Sequence, residues 1–434
     1  MRTWIHIFHR DLRLHDNSAL RLWEHYHGHE KDATILPIFI FTPAQVDTRK
    51  NKFFSSNSVQ FMLDSLKDLD EQLKGEGATL HCFYGDTVKV LEKLKPHIPL
   101  AGIIENYDYT PFAKARTAAV AGFCAKEEIE YIVAHDIYIN PPGTILNKAG
   151  TPFQKFTPFY EASLTLPVAK PASASVRWYR TGKLPEEKTL AACQSAILPV
   201  RNPDIHLPGG RTEALKILQH LKHTIRNYET DKDTPSKSTS NLSAHNHFGT
   251  VSIREVYWAA GPSAKEFRNS KAISSQSSSS TGTEFIRQLY WRDFYGHICD
   301  AFETLYGESP YDFMKNPSKG WSASHKEFEK WATGTTGHEL VDAAMKQLVK
   351  TGYIHNRARL VAASYLAKEV RVHWRWGEAF FAKHLVDYDF AQNFGNWCWV
   401  ASVLPFSSAP FRRLDPERQL ALTDPDGEYV EKWL

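Results

Sequence analysis

Five short apolar runs near the N-terminus, Trp4 to Phe8, Ile35 to Phe41, Thr79 to Tyr84, Gly102 to Glu105 and Tyr131 to Ala134, constrain this chain more than any other feature. The gaps between them have room for one crossover helix each, which is the spacing of βαβ units. Between the second and third runs, Met62, Leu66, Leu69 and Leu73 recur at helical intervals and Gly75 ends the pattern, giving an amphipathic helix to cover one sheet face. The expectation is an α/β domain over residues 1–138 built on a doubly wound parallel sheet. No G-x-G-x-x-G and no Walker loop occurs, so a dinucleotide held on a glycine turn is not expected despite that architecture.

Ten of the 23 prolines fall between Pro141 and Pro208. Each removes a backbone donor and discourages helix, so residues 139–210 read as a connector wrapped over both domains. From Arg211 to the end, residues 211–434, helical periodicity dominates: Leu340, Val341, Ala344, Met345 and Leu348 share a face ahead of Gly352, and Leu360 to Val370 continues in the same style. Ala272 to Thr283 is serine-rich and aperiodic, and reads as a surface loop.

A chain of 434 residues with 42% hydrophobic composition can bury more than one core. It has no run of about 18 apolar residues, and His6, His9 and Arg10 break the N-terminal stretch that a secretory signal would need. A soluble intracellular monomer, cytoplasmic or nuclear and without membrane contact, is expected. Cys82, Cys124, Cys193, Cys299 and Cys398 are scattered with no C-x-x-C pair, which favours buried thiols over disulfides or a zinc site; no metal is expected. A net charge of only +3 means that any nucleic-acid contact must come from a local patch. Of the 12 tryptophans, eight lie after residue 290, an excess explained by a large aromatic core, by stacking surfaces or by a bound chromophore.

The densest chemistry lies between Tyr353 and Trp399. Arg357 and Arg359 stand with His355 and Asn356 at a helix start, either a phosphate-binding surface or a solvated basic helix end. Asp387 and Asp389 follow apolar Leu385 and Val386; buried there they need donors such as a guanidinium or a ligand N–H, unless they are caps. In RQLYWRDFY, from Arg287, Trp291 can stack a base while Arg292 binds phosphate, or Trp291 can be core. Ser238, Thr239, Ser240 and Ser243 offer donors to a pyrophosphate, or simple helix caps.

Taken in order, these segments resemble the photolyase/cryptochrome family of flavoproteins, most closely its class I cyclobutane pyrimidine dimer enzymes. The matching stretches are FHRDLRLHDNSAL from Phe8, NYDYTPF from Asn106, GTPFQKFTPF from Gly150, TSNLS from Thr239, WRDFY from Trp291, VDAAMKQL from Val341, IHNRAR from Ile354, AQNFGNWCWVAS from Ala391 and DPDGEYVEKWL from Asp424. The resemblance spans the chain. It implies a Rossmann-like antenna domain, an all-α FAD-binding domain and light-driven repair of UV-damaged DNA.

By motif, the resemblance assigns flavin contacts to Tyr228, Thr239, Ser240, Leu242, Ser243, Arg359, Asp387, Asp389 and Asn393, with Asn393 at the flavin N5. It places the lesion near Asn356, Gln288 and Trp291, an electron-transfer chain on Trp397, Trp374 and Trp321, and DNA phosphates on Lys232, Arg292, Arg357 and Arg412. A second, antenna chromophore is implied but not identified, since Tyr107 to Phe112 do not match the folate-binding pattern.

Asn356 and Leu360 stand where enzymes acting on (6-4) photoproducts carry two histidines, which points to cyclobutane dimers. Gln288 points the other way, because cyclobutane-dimer enzymes usually have Glu there, and Tyr353 replaces a usual Trp. The rival from another class is a cryptochrome-type light sensor. Many cryptochromes carry a long C-terminal tail, and the end at Leu434 favours the enzyme.

Overall fold

The computed structural model describes residues 1–261, 283–302, 320–322, 324–403 and 412–434. Five parallel strands, β1 (Arg2–Phe8), β2 (Ala33–Phe41), β3 (His81–Tyr84), β4 (Leu100–Asn106) and β5 (Glu130–Ala134), form one sheet in the order β3-β2-β1-β4-β5. β1 and β2 are buried almost end to end, as expected of strands covered by helices on both faces. The Ser56–Gly75 helix carries the expected stripe, with Met62, Leu66, Leu69 and Leu73 buried. The doubly wound sheet and the helical C-terminal region are both present.

The R-D-L-R-L-H-D-N motif is a structural knot. Asp11 Oδ2 accepts from Asn17 Nδ2 at 2.9 Å and from Asn106 Nδ2 at 2.7 Å, pinning the turn after β1 to the end of β4, while Asn17 Oδ1 caps the Ser18–His27 helix. Arg13, Asp136, Arg254 and Asp16 form a buried ionic network: Arg13 Nη2 reaches Asp136 Oδ2 at 2.7 Å, and Arg254 Nε reaches Asp16 Oδ2 at 2.8 Å. Because Arg254 belongs to the Ile253–Ala260 helix, this network ties sheet to helical region. Removing one member would strand a buried charge, which costs roughly 3–5 kcal/mol.

The connector differs from its reading in one respect: it contains two helices, Phe156–Ser163 and Leu190–Ile197. Pro158 falls in the first turn of the former, where a missing N–H breaks no helical bond, and Thr189 caps the latter. Between them Trp178 bridges to Ile35 of β2. The Glu339–Thr351 helix ends at Gly352, whose φ of 71° no branched side chain adopts easily. The expected continuous helix from Leu360 to Val370 is instead an α-helix, Asn356–Ser364, followed by a π turn, Tyr365–Glu369. Apart from Thr283, which opens the Thr283–Ala301 helix, the serine-rich run lies outside the described residues. All five cysteines are buried, and none is in a disulfide. Among the described residues no helix is long and apolar enough to cross a membrane, and no cluster of His, Cys, Asp or Glu has a metal-binding arrangement.

Candidate functional site

Three helices of the C-terminal region, Asn356–Ser364, Trp374–His384 and Phe390–Ala401, wall a cavity of about 490 Å³. Seven residues singled out in the sequence line it: Asn356, Arg359, Leu360, Asp387, Asp389, Asn393 and Trp397. Gln392 and Asn396 line it too and were not anticipated; one turn apart on the Asn393 helix, they were legible only as helix-periodic neighbours of Asn393.

The charges around the cavity are fixed by pairing. Arg359 Nη2 donates to Asp387 Oδ2 at 2.8 Å and its Nε to the Ile354 carbonyl at 2.8 Å. Burial alone would raise the Asp387 pKa, and Arg359 outweighs it, keeping the carboxylate ionised below its usual range. Its other oxygen, Oδ1, is buried and makes no hydrogen bond of good geometry, although the Ser243 hydroxyl lies near the carboxylate and helps to keep it ionised. A buried carboxylate oxygen without a well-placed donor is costly, and that donor is what the N–H of a ring in the cavity would supply.

Asp389 caps the Phe390–Ala401 helix by accepting from Gln392 N at 3.1 Å and is ion-paired with Arg10 of the sheet domain. Burial opposes its charge, but Arg10 and His247 hold its pKa well below normal. Asn393 Nδ2 donates to both the backbone carbonyl and the carboxylate of Glu378, each at 3.1 Å. Trp397 is buried because Gly377 leaves room for it; a Cβ on Gly377 would lie 2.2 Å from the indole.

The remaining expected residues lie outside this cavity lining. Leu242 is fully buried in the helical core, Ser243 opens a short helix, and Ser240 Oγ accepts from Leu242 N at 3.4 Å. Thr239 lies beside the hydroxyl of Tyr353, and Tyr228 packs edge-on against Phe285, ring centroids 5.4 Å apart. Gln288 Nε2 donates to Glu284 Oε1 at 3.0 Å, one turn earlier on the same helix. Phe156 of the connector stacks on one face of Trp291 at 3.7 Å and 7°, and the Tyr295 ring lies 5.8 Å from the same indole.

Arg292, expected at a DNA phosphate, is also engaged within the protein. It donates to the Ile137 carbonyl at 2.6 Å and the Asn246 carbonyl at 3.3 Å, so its guanidinium stitches the end of the sheet domain to the helices. Lys232 and Arg357 share one carboxylate, Asp233. Arg412 lies over the Trp399 ring at 5.7 Å. His355 caps the Asn356–Ser364 helix by accepting the Arg357 N–H at Nδ1, 3.1 Å away. Burial, then the nearby Arg359, pushes its pKa down to about 4, so it is neutral at physiological pH.

A second cavity, of about 1270 Å³, opens beyond the carboxyl ends of β1 and β2, where doubly wound sheets bind ligands. Its wall includes His9, Thr42, Arg116, His247 and Tyr388, none assigned from the sequence. His9 Nε2 lies 2.7 Å from a Glu105 carboxylate oxygen, and the Arg116 guanidinium has two buried nitrogens, Nε and Nη2, without acceptors. The only sequence signal was the position of His9 just past a strand end.

A parallel sheet joined by buried ion pairs to helices that wall a cavity of paired charges defines a two-part protein, with a second cavity where the two parts meet. Residues 4–174 match the family described as DNA photolyase, and residues 285–434 match the FAD binding domain of DNA photolyase. The deoxyribodipyrimidine photo-lyase of Neurospora crassa is 30% identical over 99% of this chain and 72% of its own length. The archaeal photolyase of Sulfolobus tokodaii, solved with two FAD molecules, superposes with a TM-score of 0.82 at 30% identity, covering 100% of this chain and 90% of that one. Cryptochrome-1 of Aedes aegypti is 27% identical over 98% of this chain and 82% of its own length. The chain belongs to the DNA photolyase family, and its helical part is the family's FAD-binding domain.

Proposed function

We propose that this protein splits cyclobutane pyrimidine dimers in DNA under blue light, with FAD seated against Arg359, Asp387 and Asn393. The observation that carries this reading is the buried Asp387 Oδ1, which makes no hydrogen bond of good geometry and is an acceptor that the N–H of a flavin ring satisfies. Bound reduced flavin supplies the electron chemistry on excitation; the protein positions it and keeps water away. Asn393, its amide nitrogen held by Glu378, turns Oδ1 toward the ring, and Trp397 closes the cavity and feeds an electron chain with Trp374 and Trp321. Tyr228, Thr239, Ser240, Leu242 and Ser243 form the face that takes the phosphate-bearing arm of the cofactor.

Asn356, exposed at the cavity mouth, meets the lesion together with Gln288 and the half-buried Trp291. A dimer is poorly stacked and weakly paired, so extruding it costs less than extruding an intact pair. Lys232, Arg357 and Arg412 form the phosphate-binding rim. The choice of cyclobutane dimers over (6-4) photoproducts is supported by His355: neutral, buried and engaged by its neighbour's N–H, it is not available as a proton donor to DNA. The second cavity takes an antenna chromophore carrying an acidic group, which the unpartnered Arg116 receives; the two FAD molecules of the Sulfolobus tokodaii relative support a second flavin there.

The test is an absorption spectrum of the purified protein, then incubation with oligonucleotides carrying one lesion each, illuminated and in the dark. Flavin absorption with light-dependent loss of cyclobutane dimers is expected. Flavin binding without repair of either lesion would favour the cryptochrome-type sensor, and a folded, colourless protein would overturn the reading altogether.

A further inference from the structure

We propose that Trp331 is a second electron relay behind Trp397, opening a route to the surface through Trp376 that is separate from Trp374 and Trp321. This rests on the reading that Trp397 reduces the excited oxidised flavin. Trp331 is fully buried and in ring contact with Trp397: centroids 6.2 Å apart, planes crossing at 75°. Phe328 then lies 5.8 Å from Trp331 and 5.4 Å from Trp376. Trp376 is half-buried, with His325 4.7 Å away, so the path ends at solvent. Trp374, in contrast, lies 5.7 Å from Phe394, one turn before Trp397, and is followed by His373 at 6.2 Å, with Trp321 5.6 Å beyond that.

The electrostatics separate the two routes. An indole that has given up an electron is positively charged, so its neighbours decide how readily it forms. The Arg375 guanidinium sits 4.8 Å from the Trp374 ring, and two like charges at that distance repel. The Trp374 indole N–H is also buried with no acceptor. The Trp331 N–H donates to the Ala362 carbonyl at 2.9 Å, and a hydrogen bond from a cationic donor is stronger than one from a neutral donor, so the charged form is stabilised.

The steps balance one electron at a time. Trp397 gives an electron to the excited oxidised flavin and becomes a cation radical. Trp331 refills it and takes over the positive charge without any bond changing, and Trp376 refills Trp331. At the half-buried Trp376 the indole proton passes to water, and an external thiol returns an electron and a proton, two thiols ending as one disulfide.

The experiment uses the flavin-loaded protein with excess thiol, and reads flavin bleaching under blue light together with the lifetime of the tryptophan radical after a flash. Trp374→Phe should slow photoreduction severalfold without abolishing it. Adding Trp331→Phe should bring the remainder down to the level of Trp397→Phe. Trp376→Phe, at a half-buried position that folding tolerates better, should do the same in the Trp374→Phe background and shorten the radical lifetime, because the charge then has no exit.

If Trp374→Phe alone is as inert as Trp397→Phe, or if neither added substitution lowers it further, Trp331 carries no current and the proposal is wrong. Normal photoreduction in Trp397→Phe would be a different result, removing the entry point on which both routes depend.

Discussion

Asn393 donates both amide hydrogens' worth of its Nδ2 to Glu378, to the backbone carbonyl and to the buried carboxylate, each at 3.1 Å, and this contact decides which end of the amide faces the cavity. With the nitrogen engaged, Oδ1 is the end of the amide left to accept from a ring in the cavity. An acceptor at that place favours a ring protonated on reduction. Glu378→Leu leaves the amide free to turn its donors inward. The expected result is a fall in the bound flavin's reduction potential of roughly 20 mV, from a hydrogen bond worth about 1 kcal/mol over a two-electron couple. Spectroelectrochemical titration measures it; an unchanged or higher potential would show that Glu378 does not orient Asn393.

The proposed phosphate rim is partly neutralised within the protein. Asp233 lies 3.0 Å from Lys232 Nζ and is also paired with Arg357, two of the cations expected to meet DNA. Asp233→Ala should therefore raise affinity for damaged and undamaged duplexes alike and steepen the salt dependence by about one phosphate's worth, a slope change near 0.9. Arg357→Ala should do the reverse. Binding titrations at several salt concentrations decide it, and a selective effect on damaged DNA would place these residues at the lesion instead.

Much of the fold could be read in advance because strands and helices leave periodic traces. The runs at β1 and β2 and the stripe from Met62 to Leu73 appear where expected. What could not be read was contact between distant segments. Trp291 looks like an open stacking platform until Phe156, far earlier in the chain, is found lying on it. That Arg292 reaches the carbonyls of Ile137 and Asn246 was equally hidden, since both lie far from it in the chain. The π turn at Tyr365–Glu369 has the same apolar pattern as the helix it interrupts, so periodicity could not separate them. The ion pair from Asp387 to Arg359 was anticipated as a need for a donor; that one oxygen makes no hydrogen bond of good geometry is a fact of geometry alone.

The buried His355 makes stability depend on pH. Its pKa is held near 4 in the folded chain against 6.5 when free, so between those values the unfolded chain binds a proton that the folded one does not. Stability then falls as pH drops through this window, by up to about 1.4 kcal/mol per unit from this group. His355→Asn keeps a helix-capping acceptor and removes the proton, so chemical denaturation at pH 7 and pH 4.5 should show a smaller difference than in the parent. An equal difference would mean that His355 is protonated in the folded protein.

Lesion choice turns on Gln288. Its Nε2 donates to Glu284 Oε1 at 3.0 Å, so the amide oxygen is fixed away from Glu284 and one N–H remains for a thymine carbonyl. Splitting a cyclobutane dimer needs an electron and such a polar contact, whereas rearranging a (6-4) photoproduct needs a proton delivered by an acid, which an amide cannot supply. His355, the imidazole beside Asn356, is neutral and accepts its neighbour's N–H. Cyclobutane dimers should therefore be repaired and (6-4) photoproducts left nearly untouched. Gln288→Glu would set two carboxyl groups one helical turn apart, and like charges at hydrogen-bond distance raise one pKa, so the pair shares a proton that can be presented to the lesion. Dimer repair should be kept or raised in this variant and should decline toward alkaline pH as the shared proton is lost, a dependence the parent amide does not have. Repair assays on separate oligonucleotides across pH 6 to 9 measure both points; robust (6-4) repair by the parent would show that Gln288, not Asn356, marks the branch.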